Sequence, residues 1–393
     1  MPPADDGAFP SLLWSDWKHT CNVKSLVRFT VGVLLLGPLV VPVRATYSSL
    51  YVFGDGVSTT TNNPFAGSSY YGLRRSNGRV WVEVLAQRLG LGDNSITNVN
   101  WSYSSNNWSY YGQFSSNLVG NLTGFPAPAA ANAALFIVWV NDADFVGYMG
   151  NIYPSTNIVT WTNAINQSLS NHFQAITNLY HAKGARTLIM PNAVDITQIP
   201  QYSLITSSAD KSFIRQRVID FNTAFATTLI NRIKTNCPGI TIYVPDIFTL
   251  FNNILTNAAG YGLTNALYQG QSIDALEDPA LSNKSTNGPG ANYIFWDATD
   301  PTAKAHEVIA DVVQQFISPV KIANITSLNS SNRLDFANLP IGLAGFVEGS
   351  TDFVNWASVQ TIPGTNAPQF TLLPTAGPMQ FYRLRFPFSW SWP

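Results

Sequence analysis

Charged residues are scarce in this chain of 393 residues, at 11% of the sequence, and neither sign is in excess. The formal net charge is -1 at pH 7. The chain therefore lacks the basic surface with which proteins bind nucleic acid or anionic membranes, and we expect no nucleic-acid partner. Because hydrophobic residues make up 46% of the sequence, a sizeable core is possible.

Cysteine is nearly absent, with Cys21 and Cys237 as the two examples. Cys21 lies in a predicted leader, so the mature chain would hold one thiol and no internal disulfide. This excludes the class of small secreted proteins that are held together by disulfides. Cys237 lies in a predicted turn between a helix and a strand, with no histidine nearby in sequence, and we interpret it as structural.

Long apolar runs are also missing, apart from residues 29–41 near the N-terminus. Lys24 and Arg28 precede that run, and Ala45 offers a small residue for cleavage. This order is typical of a signal peptide, which we predict over residues 1–45, with an uncleaved anchor as the alternative. No later segment is long and apolar enough to span a bilayer. We therefore expect a secreted, periplasmic or cell-surface protein without a membrane span after signal removal.

The stretch from Leu50 to Thr60 is the most informative part of the chain. Its apolar run ends abruptly in Gly54-Asp55-Gly56, and a polar, turn-forming segment follows. A buried strand delivers a loop to the edge of a parallel sheet in this way, and α/β proteins place their sites there.

Further apolar runs alternate with stretches of helical periodicity. Such alternation predicts an α/β fold with a parallel sheet between two helical layers, over residues 46–320. Residues 328–387 differ, because short alternating stretches separated by turns predict a small all-β module there. The predicted strands cover 134–140, 186–192 and 239–246, and the predicted helices cover 78–91, 159–183, 208–234 and 247–257.

Two blocks of the sequence resemble the GDSL (SGNH) hydrolases. Phe53-Gly54-Asp55-Gly56 matches the family's Phe-Gly-Asp-Ser, with Gly56 where the family carries its nucleophilic serine. Residues 296–302 match the family's Trp-Asp-x-x-His-Pro-Thr, with Asp297 conserved in type and Asp300 at the histidine. The resemblance implies a three-layer α/β/α, flavodoxin-like fold and an activity on ester bonds.

The two blocks between them also resemble the family, and both carry substitutions. Ser105, or Ser104 beside it, stands where the family has an oxyanion-hole glycine. An ungapped match from Trp139 to Phe145 puts Ala143 at the oxyanion-hole asparagine, with Asp144 next to it. Losing such a side-chain donor typically costs about 3 kcal/mol of transition-state stabilisation. A shift of two residues would instead align Asn141-Asp142, although Trp139 and Phe145 would then lose their counterparts.

The resemblance leaves Asp297 as the intact member of the catalytic triad. Removing the serine or histidine of such a triad typically costs a factor on the order of 10⁶ in turnover. We therefore expect a catalytically impaired homologue that binds a small-molecule or polysaccharide ligand, either a carbohydrate or an ester-bearing compound. Aromatic residues in one polar stretch are the candidate ligand contacts, with core packing as the other interpretation: Trp101, Tyr103, Trp108, Tyr110 and Tyr111.

A hydrolase of esters or glycans with a rebuilt, carboxylate-based site is the alternative function. If the fold is as predicted, Asp55, Asp144, Asp297 and Asp300 should converge, and crowded carboxylates raise one another's pKa. A simpler interpretation is that Asp300 and Thr299 cap a helix that opens at Pro301. His306 should point away from Asp300 and pack inside that helix. We predict no cofactor and no resident metal, and the sequence sets no oligomeric state.

Overall fold

A parallel sheet forms the centre of the structure, a computed structural model that describes residues 47–65, 67–91, 106–205, 207–364, 370–375 and 380–386. Its strands are hydrogen-bonded in chain order and all run parallel: β1 (Leu50–Gly54), β2 (Leu135–Trp139), β3 (Thr187–Ile189) and β4 (Thr241–Tyr243). The predicted leader, residues 1–45, lies outside the described residues.

A short segment adds to the open side of β1. The Val52 N–H donates to the Asn106 carbonyl at 2.9 Å, and the Trp108 N–H donates to the Val52 carbonyl at 2.8 Å. The bridge between Val52 and Asn107 is parallel. The segment around Asn107 therefore lies on one side of β1 in the sheet, and β2 lies on the other side. This arrangement is that of the flavodoxin-like sheets, in which the first strand is internal.

Helices alternate with the strands along the chain and cover both faces of the sheet. Several begin at a side-chain cap, such as Asn157, whose carboxamide accepts from the Val159 N–H at 2.9 Å. The helices among the described residues are α1 (Trp81–Arg88), α2 (Ser115–Gly124), α3 (Asn141–Asn151), α4 (Ile158–Lys183), α5 (Pro200–Ser203), α6 (Ser208–Ala224), α7 (Ile230–Asn236), α8 (Ile247–Thr256) and α9 (Ala303–Ile317).

Side chains that alternate along the strands build two separate cores. Phe53, Phe136 and Leu188 pack under α2, α4 and α6 on one face. Val52 and Ile137 pack under α1, α8 and α9 on the other face. Strands covered on both faces read as continuous apolar runs, which is why β1 and β2 are visible in the sequence.

Two helices differ from the prediction. No helix was predicted directly after residue 140, yet residues 141–145 begin α3, and Phe145 and Met149 are buried on one side of it. Helix α9 does not open at Pro301: Thr302 is its cap, with a hydroxyl that accepts from the Ala305 N–H at 3.3 Å. The interpretation of Asp300 and Thr299 as helix caps is therefore wrong.

The C-terminal residues form a small all-β module. Its two antiparallel sheets, β11-β8-β7 and β10-β9-β12, enclose a core that includes Leu334, Val347 and Leu373. The first strand of the module begins at Lys321, before residue 328, where we predicted that the module starts. The strands are β7 (Lys321–Leu328), β8 (Ser331–Ala337), β9 (Gly345–Ser350), β10 (Ala357–Ile362), β11 (Phe370–Pro374) and β12 (Phe381–Arg385), and a two-stranded ribbon of β5 (Leu267–Tyr268) and β6 (Gln271–Ser272) lies outside the module.

The module is tied to the helical layer by α1 and α9. The Ile341 N–H donates to the Arg88 carbonyl at 3.2 Å, and Gln314 Nε2 donates to the Asn338 carbonyl at 3.4 Å. Elsewhere, Cys237 is buried and free, which agrees with a structural role. Among the described residues, no helix has the length and apolar character that crossing a membrane requires.

Candidate functional site

A cavity of about 230 Å³ lies at the carboxyl ends of β1 and β2. Asp55 and Gly56 follow β1, Asp142 and Ala143 lie in the first turn of α3, and Asp300 precedes α9. Its remaining lining is largely apolar: Val57, Tyr111, Gly112, Phe114, Trp139, Val146, Val194, Ile196, Ile199, Gln201, Phe251, Phe295, Thr299 and Pro301. Ends of parallel strands meet at one edge, so residues far apart in sequence line one site.

Gly56 faces Asp300 across a short gap. A Cβ built on Gly56 would lie 3.3 Å from Asp300 Oδ1 and 3.4 Å from both Arg75 Cδ and Tyr111 Cδ2. The backbone there is not in the left-handed region, so it does not require glycine. Gly54 is different, because a Cβ on it would lie 2.7 Å from the Ser58 Cβ. A side chain at position 56 would therefore point at residue 300, and it would fit only if Asp300, Arg75 or Tyr111 moved by a few tenths of an ångström.

Asp300 is held by an arginine that the sequence analysis did not single out. The Arg75 Nε lies 2.8 Å from Asp300 Oδ2, and Arg75 Nη2 donates to Asp297 Oδ2 at 2.7 Å. Arg75, Asp297 and Asp300 are 5%, 5% and 2% exposed. The guanidinium lies over the ring of Tyr111, 4.5 Å from its centroid, and over Phe65 at 4.9 Å. Arg75 thus joins the two aspartates in one buried Asp–Arg–Asp cluster.

Asp297 has no free oxygen with which to orient a base. Its Oδ1 accepts from the N–H groups of Thr299 and Asp300, each at 3.0 Å. Its Oδ2 accepts from Arg75 and, at 3.0 Å, from the Tyr70 hydroxyl. Asp297 is thus buried, and it does not line the cavity.

The three carboxyl groups that line the cavity repel one another. Burial, and then Asp142, raise the pKa of Asp55 to about 8. Burial raises the pKa of Asp142 to about 7, with smaller contributions from Asp144 and Asp300. Burial and then Asp297 raise the pKa of Asp300 well above its ordinary value, although Arg75 lowers it. Ala143 also lines the cavity, and its backbone N–H lowers the pKa of Asp55, although less than burial raises it.

Asp144 and Asn141 do not reach the cavity. Asp144 accepts from the Ser115 N–H at 2.9 Å and from the Ser168 hydroxyl at 2.5 Å, beneath α4. Asn141 is fully buried and donates to the Pro191 carbonyl at 2.7 Å. The expected convergence of carboxylates is therefore wrong for Asp144. Asp297 does meet Asp300 at Arg75, although it does not line the cavity, and Asp142 joins the group unpredicted. On a helix, residues 142 and 144 point in different directions.

Of the aromatic residues that we proposed as ligand contacts, some line the cavity and others do not. Tyr111 lines the cavity and is 43% exposed. Trp108 packs against the core, in edge contact with Phe125 at 5.5 Å, and Tyr110 is not part of the lining. Trp101, Tyr103 and Ser105 lie outside the described residues.

The described lining contains no serine, cysteine, histidine, lysine or arginine. Ser58, two residues after Gly56, is buried and accepts from the Trp81 Nε1 at 3.1 Å. His306 is fully buried, and neither of its ring nitrogens has a partner among the described residues. No cluster of three or more metal-ligating side chains occurs in the described part of the chain. The lining therefore offers no pair of nucleophile and base.

Comparisons with known proteins agree on one family. The sequence model described as GDSL-like Lipase/Acylhydrolase matches residues 50–313. A GDSL esterase/lipase of Arabidopsis thaliana is 25% identical over 342 residues, which are 72% of this chain and 86% of that protein. A second one is 24% identical over 350 residues, covering 74% and 91%.

Among the solved structures to which this chain is similar is that of an extracellular lipase from Streptomyces rimosus. It is 15% identical, with a TM-score of 0.39, and the match covers 68% of this chain and 100% of that one. The family match itself begins at β1 and ends inside α9. It thus includes every residue that lines the cavity.

Proposed function

This chain belongs to the family of GDSL-like lipases and acylhydrolases, and we propose that it binds a small-molecule ligand in its pocket without serine-dependent hydrolysis. One observation carries the proposal: Gly56 faces an aspartate that is paired with a buried arginine. In a serine hydrolase, the corresponding pair is a hydroxyl and an imidazole that takes its proton. Here the first partner has no functional group.

The remaining groups do not replace that pair. Asp300 is engaged by Arg75, and residue 56 offers it no hydroxyl whose proton it could take. Ala143 has no side-chain donor for an oxyanion. The apolar wall nevertheless remains, and it is suited to the body of an ester-bearing ligand more than to a free sugar.

The test is to measure turnover of a short-chain nitrophenyl ester and labelling by a serine-directed fluorophosphonate. We expect neither in the wild-type protein. We expect weak esterase activity and labelling when Gly56→Ser and Asp300→His are combined, and more when Ala143→Asn is added. Gly120→Ser with Asp300→His is the matched control, because Gly120 is exposed on α2 and far from other atoms. Robust turnover and labelling of the wild type would contradict the proposal.

A second candidate function follows from the carboxyl groups. Burial and charge repulsion raise the pKa of Asp55 to about 8 and that of Asp142 to about 7, so each could act as a general acid or base near neutral pH. A carboxylate-based hydrolase would turn over the ester without any labelling. That activity would be lost in Asp55→Asn or Asp142→Asn.

The proposal also includes export, which rests on the apolar run at residues 29–41 and its flanking charges. N-terminal sequencing of the protein from the culture medium should then begin near Thr46. A protein that retains residues 1–45 in the cell would contradict this part.

A further inference from the structure

Aromatic side chains form much of the cavity wall. Five rings contribute to a lining whose other apolar members are mainly valine and isoleucine: Tyr111, Phe114, Trp139, Phe251 and Phe295. Aromatic rings provide apolar area, and their faces also attract cations through the ring quadrupole. The wall alone would accept either a neutral or a cationic ligand.

The polar groups of the cavity remove that ambiguity, because its charged lining residues are all acidic. Asp300 is 2% exposed, and its two oxygens have different surroundings. Its Oδ2 lies against Arg75 and accepts from the Thr299 hydroxyl at 2.6 Å. Its Oδ1 faces Gly56 and accepts no hydrogen bond from any described residue. Asp300 Oδ1 is thus an acceptor that faces the cavity, where water or the donor group of a ligand can bind it.

The charge balance of the cluster points the same way. Arg75 offsets one of its two partners, Asp297 and Asp300, and leaves the other uncompensated. Asp142 accepts from the Val194 N–H at 2.9 Å, and Asp55 accepts from the Val57 N–H at 3.1 Å, but neither has a basic partner. A positive charge in the cavity would reduce the repulsion among all of them.

A metal ion fits this cavity poorly. The described residues contain no cluster of three or more metal-ligating side chains, and a hard cation prefers six or more oxygen ligands. An organic cation needs fewer acceptors and would bury its carbon skeleton against the rings. One such molecule would contact the acidic groups with its charge and the apolar wall with its carbon skeleton.

We infer that the pocket selects a protonated amine with an apolar or aromatic body, whose ammonium group donates to Asp300 Oδ1. This inference rests on the proposed function, because it assumes that a ligand stays bound without hydrolysis. The ammonium group would occupy the space in front of Gly56, where the glycine leaves room beside Asp300.

Isothermal titration calorimetry with three matched probes tests the inference at pH 7.5: 4-phenylbutylamine, 4-phenylbutan-1-ol and 4-phenylbutyrate. These share one apolar body and differ in the charge of the head group. We expect the amine to bind at least tenfold more tightly than the alcohol, and the carboxylate to bind most weakly. Equal affinities, or a preference for the alcohol or the carboxylate, would overturn the inference.

Two variants locate the head group. Asp300→Asn should weaken amine binding about tenfold and leave alcohol binding within a factor of three. Because Asp300→Asn also loosens Arg75, Asp142→Asn is the second variant, since its carboxamide can still accept from the Val194 N–H. The matched control is Asp220→Asn, whose carboxyl is 42% exposed on α6. Unchanged amine affinity in both cavity variants would overturn the inference.

The outcome also separates this inference from the proposed function. Binding of all three probes without preference, and without ester turnover, would remove the inference and leave the proposed function standing. Wild-type ester turnover with fluorophosphonate labelling would remove the proposed function, whatever the probes do.

Discussion

Replacing Arg75 by methionine is the sharpest test of how the altered site is held together. Methionine keeps most of the apolar stem but removes the charge that Asp297 and Asp300 share. Both carboxylates are buried, so they would remain in the interior without a counter-ion. Breaking a buried pair by removing one partner typically costs about 3–5 kcal/mol. We expect Arg75→Met to lower the free energy of unfolding by about that amount at pH 8.

Arg217→Met is the matched control for losing an arginine from an ion pair. Arg217 pairs with Asp220 three residues later on α6, and the Asp220 carboxyl is 42% exposed. Pairs of this kind contribute about 0–1 kcal/mol, because water solvates the remaining partner. The two variants should therefore differ by at least about 2 kcal/mol in urea unfolding followed by tryptophan fluorescence.

The pH dependence separates a charge effect from a packing effect. Without Arg75, the folded-state pKa of Asp300 rises further above its unfolded value, because burial and Asp297 already raise it. A group with a raised folded pKa keeps its stability at low pH and loses it as pH rises. The cost of Arg75→Met should therefore be smaller at pH 5 than at pH 8. Adding Asp300→Asn should restore part of the stability at pH 8.

Two results would refute this reasoning. One is a cost below about 1 kcal/mol at pH 8, which is the range of surface pairs. The other is an equal cost at both pH values, because lost packing does not depend on protonation.

Three other substitutions test the buried histidine and the aromatic contacts. Burial lowers the pKa of His306 to about 3, so this side chain contributes stability above its unfolded pKa and loses it as pH falls. His306→Leu should therefore raise urea stability, by about 2 kcal/mol more at pH 5 than at pH 7, and a variant that is less stable at both would contradict this. Tyr111→Ala should weaken 4-phenylbutylamine binding severalfold with little loss of stability. Trp108→Ala should cost about 3 kcal/mol of stability, because Trp108 packs against the core, and the opposite pattern would contradict these placements.

The sequence predicted two kinds of element: strands that are buried on both faces, and helices whose apolar residues recur with helical spacing. Strand β1 is apolar on both faces, and α4 has a helical apolar pattern between an Asn157 cap and Gly184. Helix α3 escaped prediction because its first turn, residues 141–144, is polar and resembles a loop. That helix forms because acidic residues are favourable at a helix N-terminus and because Phe145 is buried behind them.

The site was predictable where it follows the ends of strands. Gly56 and Ala143 line one cavity because they follow β1 and β2, and a parallel sheet brings the carboxyl ends of its strands to one edge. Arg75 could not be placed in this way, because it comes from an irregular loop and pairs with Asp297 across 222 positions of sequence. Its one signal was chemical: Arg74 and Arg75 are adjacent in a chain with few charges. Trp108 was misplaced because its backbone pairs with Val52, which turns the ring into the core.

The substitutions at the site depend on one another, and this explains why restoring a single residue should not restore esterase activity. An aspartate at position 300 is tolerated in the interior because Arg75 neutralises it. The Arg75 stem in turn lies 3.4 Å from the space that a side chain on residue 56 would fill. A histidine at position 300 would meet the guanidinium where Asp300 Oδ2 now lies, and that charge disfavours an imidazolium. Full esterase activity therefore requires Arg75 to be replaced as well. The esterase activity of the Gly56→Ser, Asp300→His variant should stay weak as long as Arg75 remains paired with Asp297.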